Sequence, residues 1–273
     1  MPADSWTGKH YPLPVPKIDP TVANTARAWN FMVGGKDNFE ADRAAARQLM
    51  TAAPVIEVAA LATRAFLRRV VTHLVGAGIG QFLDIGTGLP TAGNTHEIAQ
   101  ALEPRSRVVY VDNDPVVLTH ARALLTSSPE GSTSYIDADA RDPKTILAQA
   151  AKTLDLAAPV AVMMIDLLNF IEDTATAAAS VAVVMDAVPA GSYLAIMHPA
   201  SDLDPALLEA ERRWNQLAAQ RVKLRSREQV TGFLAGLNLV EPGLVTIPQW
   251  RPAPGEQVPA ELIPLYAAVA RKP

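Results

Sequence analysis

Phe82-Leu83-Asp84-Ile85-Gly86-Thr87-Gly88-Leu89-Pro90 decides the fold. An apolar run ends at Asp84, and glycines follow at the second and fourth positions after it. Gly86 permits a tight turn, and Gly88 lets a ligand approach the backbone where a Cβ would stand. A helix predicted over 94–102 turns its free N–H groups toward the same crevice. A second apolar run, Val108-Val109-Tyr110-Val111, ends in Asp112. That acid lies 112 − 88 = 24 residues past the second glycine. This is close to the spacing at which a carboxylate on the second strand takes ribose hydroxyls. A nicotinamide site would place a third glycine at Thr91, but the next glycine is Gly93 and Pro90 interrupts the loop. An acid directly before the glycines would also repel a pyrophosphate. It suits a cationic, phosphate-free adenosine such as S-adenosylmethionine.

Outward from this loop, short apolar runs alternate with amphipathic stretches. The pattern predicts strands over 81–85, 107–112, 133–137, 160–168 and 193–197. Helices are predicted over 94–102, 115–125, 144–151 and 173–188. Continuous apolar strands between helices indicate a doubly wound parallel α/β sheet with helices on both faces. The C-terminal part predicts helices over 205–220 and 226–237 and strands over 239–247 and 262–270. Upstream, prolines at 12, 14 and 16 mark residues 1–20 as an extended arm. Helical patterns follow over 21–33, from Asn38 to about 50, and over 55–75. The organisation expected is therefore an arm and helical lid over 1–76 and a sheet domain over 77–273.

Composition narrows the function. The 273 residues contain no cysteine, which excludes a zinc-thiolate site, an iron–sulfur cluster and a cysteine nucleophile. No metal site is expected. A net charge of −4 and 5% aromatic residues argue against a dedicated nucleic-acid binder. The N-terminal stretch lacks the apolar core of a signal peptide, and no run is long enough to span a membrane, so a cytoplasmic location is expected. Oligomeric state is not readable. The basic stretch from Arg212 to Arg227 is diluted by Glu209, Glu211 and Glu228 and reads as a solvated face.

Several blocks resemble a known family. Asp-x-Gly-x-Gly at 84–88, Val111-Asp112-Asn113-Asp114-Pro115 and Ile136-Asp137-Ala138-Asp139-Ala140 look like the first three motifs of class I S-adenosylmethionine-dependent methyltransferases. Phe31-Met32-Val33-Gly34-Gly35-Lys36-Asp37-Asn38-Phe39, Glu241-Pro242-Gly243 and Trp250-Arg251-Pro252 resemble, more narrowly, an actinobacterial S-adenosyl methyltransferase family first recorded as DUF574. The resemblance implies a Rossmann-like sheet of seven strands, the last antiparallel, and S-adenosylmethionine as cofactor. It implies that Asp84, Ile85, Gly86, Thr87 and Gly88 line the methionine end and ribose. Asp112 would bind the ribose hydroxyls, with Asn113 beside the adenine and Asp139 and Ala140 flanking it. Asp166 and Leu167 would close the floor near the methyl group.

The Gly34-Gly35-Lys36-Asp37-Asn38 block has a plain explanation as a helix C-cap followed by an N-cap. It is read here as a lid, with Gly34, Gly35 and Asp37 among the cofactor contacts and Arg27 and Asn30 pointing into the site. His198, after the fifth strand, is either a loop histidine or a general base. Asn169 stands where the family often carries a histidine before the aromatic. These two are the candidate catalytic positions. The Asn/Asp-Pro-Pro-Tyr motif of amino-methylating nucleic-acid enzymes is missing, which favours a small-molecule acceptor. A sensor that binds S-adenosylmethionine without transferring its methyl group is the first alternative, and an NAD(P)-dependent oxidoreductase the second.

Overall fold

The computed structural model describes residues 18–90, 93–124, 126–218, 220–256, 258 and 261–273. Most of the predicted arm thus lies outside the described residues. The chain opens with three helices, α1 (Thr25–Met32), α2 (Glu40–Ala52) and α3 (Val55–Gly76). The sheet region follows as β1 (Gln81–Ile85), α4 (Thr95–Leu102), β2 (Arg107–Asp112), α5 (Pro115–Leu124), β3 (Ser132–Asp137), α6 (Pro143–Ala150) and β4 (Ala161–Ile165). After a 3-10 turn at Leu168–Phe170 come α7 (Thr174–Asp186), β5 (Tyr193–Pro199), α8 (Pro205–Leu217) and α9 (Arg227–Gly232). β6 (Asn238–Leu239), β7 (Val245–Thr246) and β8 (Leu265–Arg271) complete the sheet.

The strand order is β3-β2-β1-β4-β5-β8-β6, with β7 also paired to β8. β1 to β5 pair in parallel, and β8 runs antiparallel to β5. The long strand expected over 239–247 is instead two short pieces, β6 and β7, on the same partner β8. Pro242 and Gly243 (φ 85°) interrupt it: proline has no N–H for the ladder, and glycine bends the chain away. The strand expected over 160–168 stops at Ile165, because Asp166 turns to φ 57°.

Each central strand divides its side chains between two apolar layers. Phe82, Val108, Tyr110, Ala161 and Met163 face the side covered by the N-terminal helices. Leu83, Val109, Val111, Val162 and Met164 face the side covered by α6 and α7. This two-sided burial is why the strands read as unbroken apolar runs. α3 belongs to the first layer through Phe66, Val70 and Leu74. Arg69 of α3 donates to the carbonyls of Ile247 and Trp250, and Phe66 meets Trp250 edge-on at 5.5 Å. Trp250 is fully buried, so the Trp-Arg-Pro block anchors the C-terminal segment against α3. Among the described residues, no single helix is long and apolar enough to cross a membrane.

The first two helices are locked by one carboxylate. Asp42 is fully buried. It accepts from Asn24 N at 2.8 Å, Phe39 N at 2.8 Å and Arg27 Nε at 2.8 Å. It thereby fixes the start of α1, the start of α2 and the guanidinium between them. Asn38, expected to cap α2, instead donates to Asn30 Oδ1 and the Gly35 carbonyl, and the cap position falls to Phe39. Removing Asp42 would strand the buried Arg27 charge. Asp42→Ala should therefore lose about 3–5 kcal/mol of unfolding free energy in denaturant titration. A loss below about 1 kcal/mol, the worth of an exposed ion pair, would show that the knot contributes little.

Candidate functional site

The carboxyl ends of β1 to β4 open into a cavity of about 490 Å3. This lies within the roughly 300–1,000 Å3 typical of small-molecule sites, and it sits at the edge where open α/β sheets bind ligands. Its floor is the glycine turn. Gly86 (φ 78°) and Gly88 (φ 64°) both adopt left-handed backbone. Gly86 N donates to the Val111 carbonyl, which draws the turn onto β2. A Cβ on Gly86 would stand 2.6 Å from Leu167 Cδ1, whereas one on Gly88 would meet open space. The close approach expected at Gly88 is thus toward the cavity, and the packing constraint sits at Gly86.

Two acids flank the turn. Asp112 accepts from Gly88 N at 3.0 Å and Asp114 N at 2.9 Å. Asp84 accepts from Thr95 Oγ1 at 2.6 Å. Burial pushes both carboxyls up, each to about 6. For Asp84 the Thr95 hydroxyl and the nearby Arg64 charge pull the other way. Arg64 reaches the cavity from α3 and also donates to the Gly93 carbonyl. Farther along the edge, Asn113 Nδ2 donates to Asp139 at 3.3 Å, and Arg141 pairs with the same carboxylate. That pairing holds the Asp139 carboxyl below its usual range. Asp166, at the end of β4, is pushed up to about 7 by burial, opposed by a hydrogen bond from Asn169.

Of the residues predicted for this site, Asp84, Ile85, Gly86, Thr87, Gly88, Asp112, Asn113, Asp139, Ala140, Asp166 and Leu167 line the cavity together. Arg27 lines it too, with its guanidinium held by Asp42 and the Val22 carbonyl. Asn30, Gly34, Gly35 and Asp37 do not line it, which corrects the expectation for them. Asn30 is buried and spends its Oδ1 on Asp37 N and Asn38 Nδ2. Gly35 packs so tightly on Asn30 that a Cβ would come within 2.3 Å of its amide. The block is a turn wrapped around Asn30 between α1 and α2.

His198 is likewise corrected. It is fully buried and lines neither this cavity nor the smaller one beside it. Its Nδ1 contacts the Pro199 carbonyl at 2.9 Å and its Nε2 contacts Arg225 Nη1 at 3.0 Å. The carbonyl requires a proton on Nδ1, so Nε2 accepts from the guanidinium. Burial drives its pKa down to about 3. It serves Arg225, which donates to the carbonyls of Leu168 at 2.7 Å and Ile171 at 2.6 Å. That clamp holds the 3-10 turn bearing Asn169, which does not line the larger cavity but borders the smaller one.

Sequence reading missed Arg64, Thr95, Asp114 and Trp29, which all line the site. Asp114 receives Asn24 Nδ2 at 2.5 Å and so ties the start of α1 to the end of β2. Its place in the Asp-Asn-Asp-Pro run was the available signal. An arginine or tryptophan on an amphipathic helix carries no such mark.

The family model described as S-adenosyl methyltransferase matches residues 13–273. A DUF574 family protein from Streptomyces avermitilis shares 41% identity and superposes with a TM-score of 0.88 over 92% of this chain and 98% of its own. A candidate methyltransferase from Thermobifida fusca shares 37% identity, with a TM-score of 0.85 over 92% of this chain and 96% of its own. The magnesium protoporphyrin IX methyltransferase of Synechocystis, solved with bound S-adenosylmethionine, shares the fold at a TM-score of 0.53 but only 13% identity, over 90% of each chain. A search of curated proteins finds no match. With its glycine turn and acid pair in place and a family match over almost its whole length, the chain belongs to the S-adenosyl methyltransferase family, enzymes dependent on S-adenosylmethionine.

Proposed function

We propose that the chain holds S-adenosylmethionine along the carboxyl edge of β1 to β4 and transfers its methyl group to a small molecule. The charge layout of the 490 Å3 cavity carries this reading. Asp84 and Arg64 stand together at one end, opposite charges suited to the ammonium and carboxylate of a free amino acid. Asp112 stands next, beside the open face of Gly88, where two hydroxyls of a ribose can donate to one carboxylate. Asn113, Asp139 and Ala140 form the far end, a slot for a base edge. The buried Asp84 and the half-buried Asp112 beside the turn would repel a pyrophosphate, which weighs against a nicotinamide dinucleotide.

When bound, the cofactor supplies a methyl group on a positively charged sulfur. The chain's own residues then have to orient it and exclude water. The turn at 86–88 and Asp112 fix the ribose. Asp84 and Arg64 fix the amino-acid end. Arg27, pinned by Asp42, and Trp29 close the lid side. Ile85 and Thr87 present backbone, and Asp166 and Leu167 form the floor nearest the methyl group. A net charge of −4 supports a small acceptor over nucleic acid.

Titration calorimetry with S-adenosylmethionine tests the assignment. Asp84 and Asp112 carry a proton below about pH 6 and lose it above. A cation prefers the ionised acids, so affinity should rise as pH increases from 5 to 8, with proton release near pH 6. A pH-independent affinity would remove the acid pair from the site. Two alanine substitutions separate packing from binding. Gly86→Ala takes on backbone strain of about 1–2 kcal/mol and adds a contact with Leu167 that should cost about 1–3 kcal/mol more. Gly88→Ala faces open space, so it should lose much of the cofactor affinity while suffering only backbone strain of about 1–2 kcal/mol. Equal affinity in wild type and Gly88→Ala would contradict the placement.

A further inference from the structure

A smaller cavity of about 130 Å3 adjoins the larger one. Thr25, Trp29, Asp166 and Phe170 line both, so the two chambers meet at the floor assigned to the methyl group. The small chamber is close in volume to the engineered apolar cavity of about 150 Å3 that takes up one benzene. Trp29, Phe170 and Trp214 line its wall. Its polar groups are few. Glu211 is engaged by Leu224 N at 3.1 Å. Asp166 and Asn169 form the corner next to the larger cavity.

Asn169 is 3% exposed. Its side chain hydrogen-bonds Asp166 and so steadies that carboxyl at the wall between the two chambers. The turn that carries Asn169 is fixed from behind. Arg225 grips the carbonyls of Leu168 and Ile171, and Lys223 N donates to the Asn169 carbonyl at 2.7 Å.

We propose that this chamber holds the methyl acceptor, a single-ring aromatic molecule whose O–H or N–H gives its proton to Asp166, the carboxyl that Asn169 steadies at the shared wall. The inference rests on the reading of the larger cavity as the S-adenosylmethionine site. Asp166 Oδ takes the proton as the acceptor's lone pair forms a bond to the methyl carbon. The carbon–sulfur bond breaks, its electron pair returns to sulfur, and S-adenosylhomocysteine and the methylated ring remain with a neutral Asp166. That proton then passes to solvent. Burial suits Asp166 to this role by raising its carboxyl toward neutrality.

The test uses the full chain saturated with S-adenosylmethionine and four probes: phenol, cresol, pyrazole and anisole. Binding is followed by saturation-transfer NMR and product by mass spectrometry. Phenol, cresol or pyrazole should bind and gain a methyl group, and anisole, which has no donor, should bind about tenfold more weakly or less. Asp166→Asn keeps the side-chain shape and tolerates the φ of 57°. It should lower kcat about 100-fold or more with the ring still detected as bound by saturation-transfer NMR. Val222→Phe narrows the chamber from its half-buried edge and should weaken ring binding about tenfold with cofactor affinity kept. Failure to bind S-adenosylmethionine at all would overturn the cofactor reading and this inference with it. Cofactor binding with no ring bound at millimolar concentration would overturn this inference alone. So would ring binding that ignores Val222→Phe, or turnover undiminished in Asp166→Asn.

Discussion

A hydrogen bond of 3.0 Å from Gly88 N to Asp112 holds the site together. It joins the end of β1 to the end of β2 and leaves the second glycine facing the cavity. Everything around it follows from keeping that geometry. Gly86 must lie flat against Leu167, because a Cβ there has no room. Asp112 must also receive Asp114 N, and Asp114 in turn receives the start of α1 through Asn24. The acid that shapes the turn is thus one step from the acid that docks the N-terminal helices. The cavity edge and the N-terminal helices share one chain of polar contacts, from Gly88 through Asp112 and Asp114 to Asn24, Asp42 and Arg27.

The two chambers divide by chemistry. The larger is bordered by Asp84, Asp112, Asp139 and Arg64, and suits a ligand with charges and hydroxyls. The smaller is walled mainly by apolar and aromatic side chains, with its polar corner at Asp166 and Asn169. Asp166 belongs to both, and its left-handed backbone ends β4 at the wall between them. A carboxylate there is costly, which is why its pKa rises to about 7. Arg225 and His198 stand behind this corner. They hold the turn that carries Asn169 without reaching either cavity.

Much of the sheet was legible because its strands are buried on both faces. Phe82, Val108 and Met163 alternate with Leu83, Val109 and Met164, so each run is apolar throughout and ends at a polar residue on the edge. The glycine turn and its acids sit at those ends, within a few residues of a strong signal. The last strands were less legible, since Pro242 and Gly243 split an edge that composition alone presents as continuous. Polar residues away from the glycine turn misled in both directions. Asn30 and His198 had the chemistry of site residues, but buried partners absorb their polar atoms. Arg64 and Trp29 carried no local signal, because their place depends on how the helical layer lies across the sheet. Such long-range placement is a property of packing, and spacing along the chain does not encode it.

The account stands on the acid pair and glycine turn selecting a phosphate-free cationic adenosine. A crystal structure of the protein grown with S-adenosylhomocysteine tests this most directly. The account predicts ribose density against Asp112 and Gly88, the amino-acid end between Asp84 and Arg64, and the sulfur facing Asp166. Density for the nucleoside anywhere else, or a ribose turned away from Asp112, would contradict it.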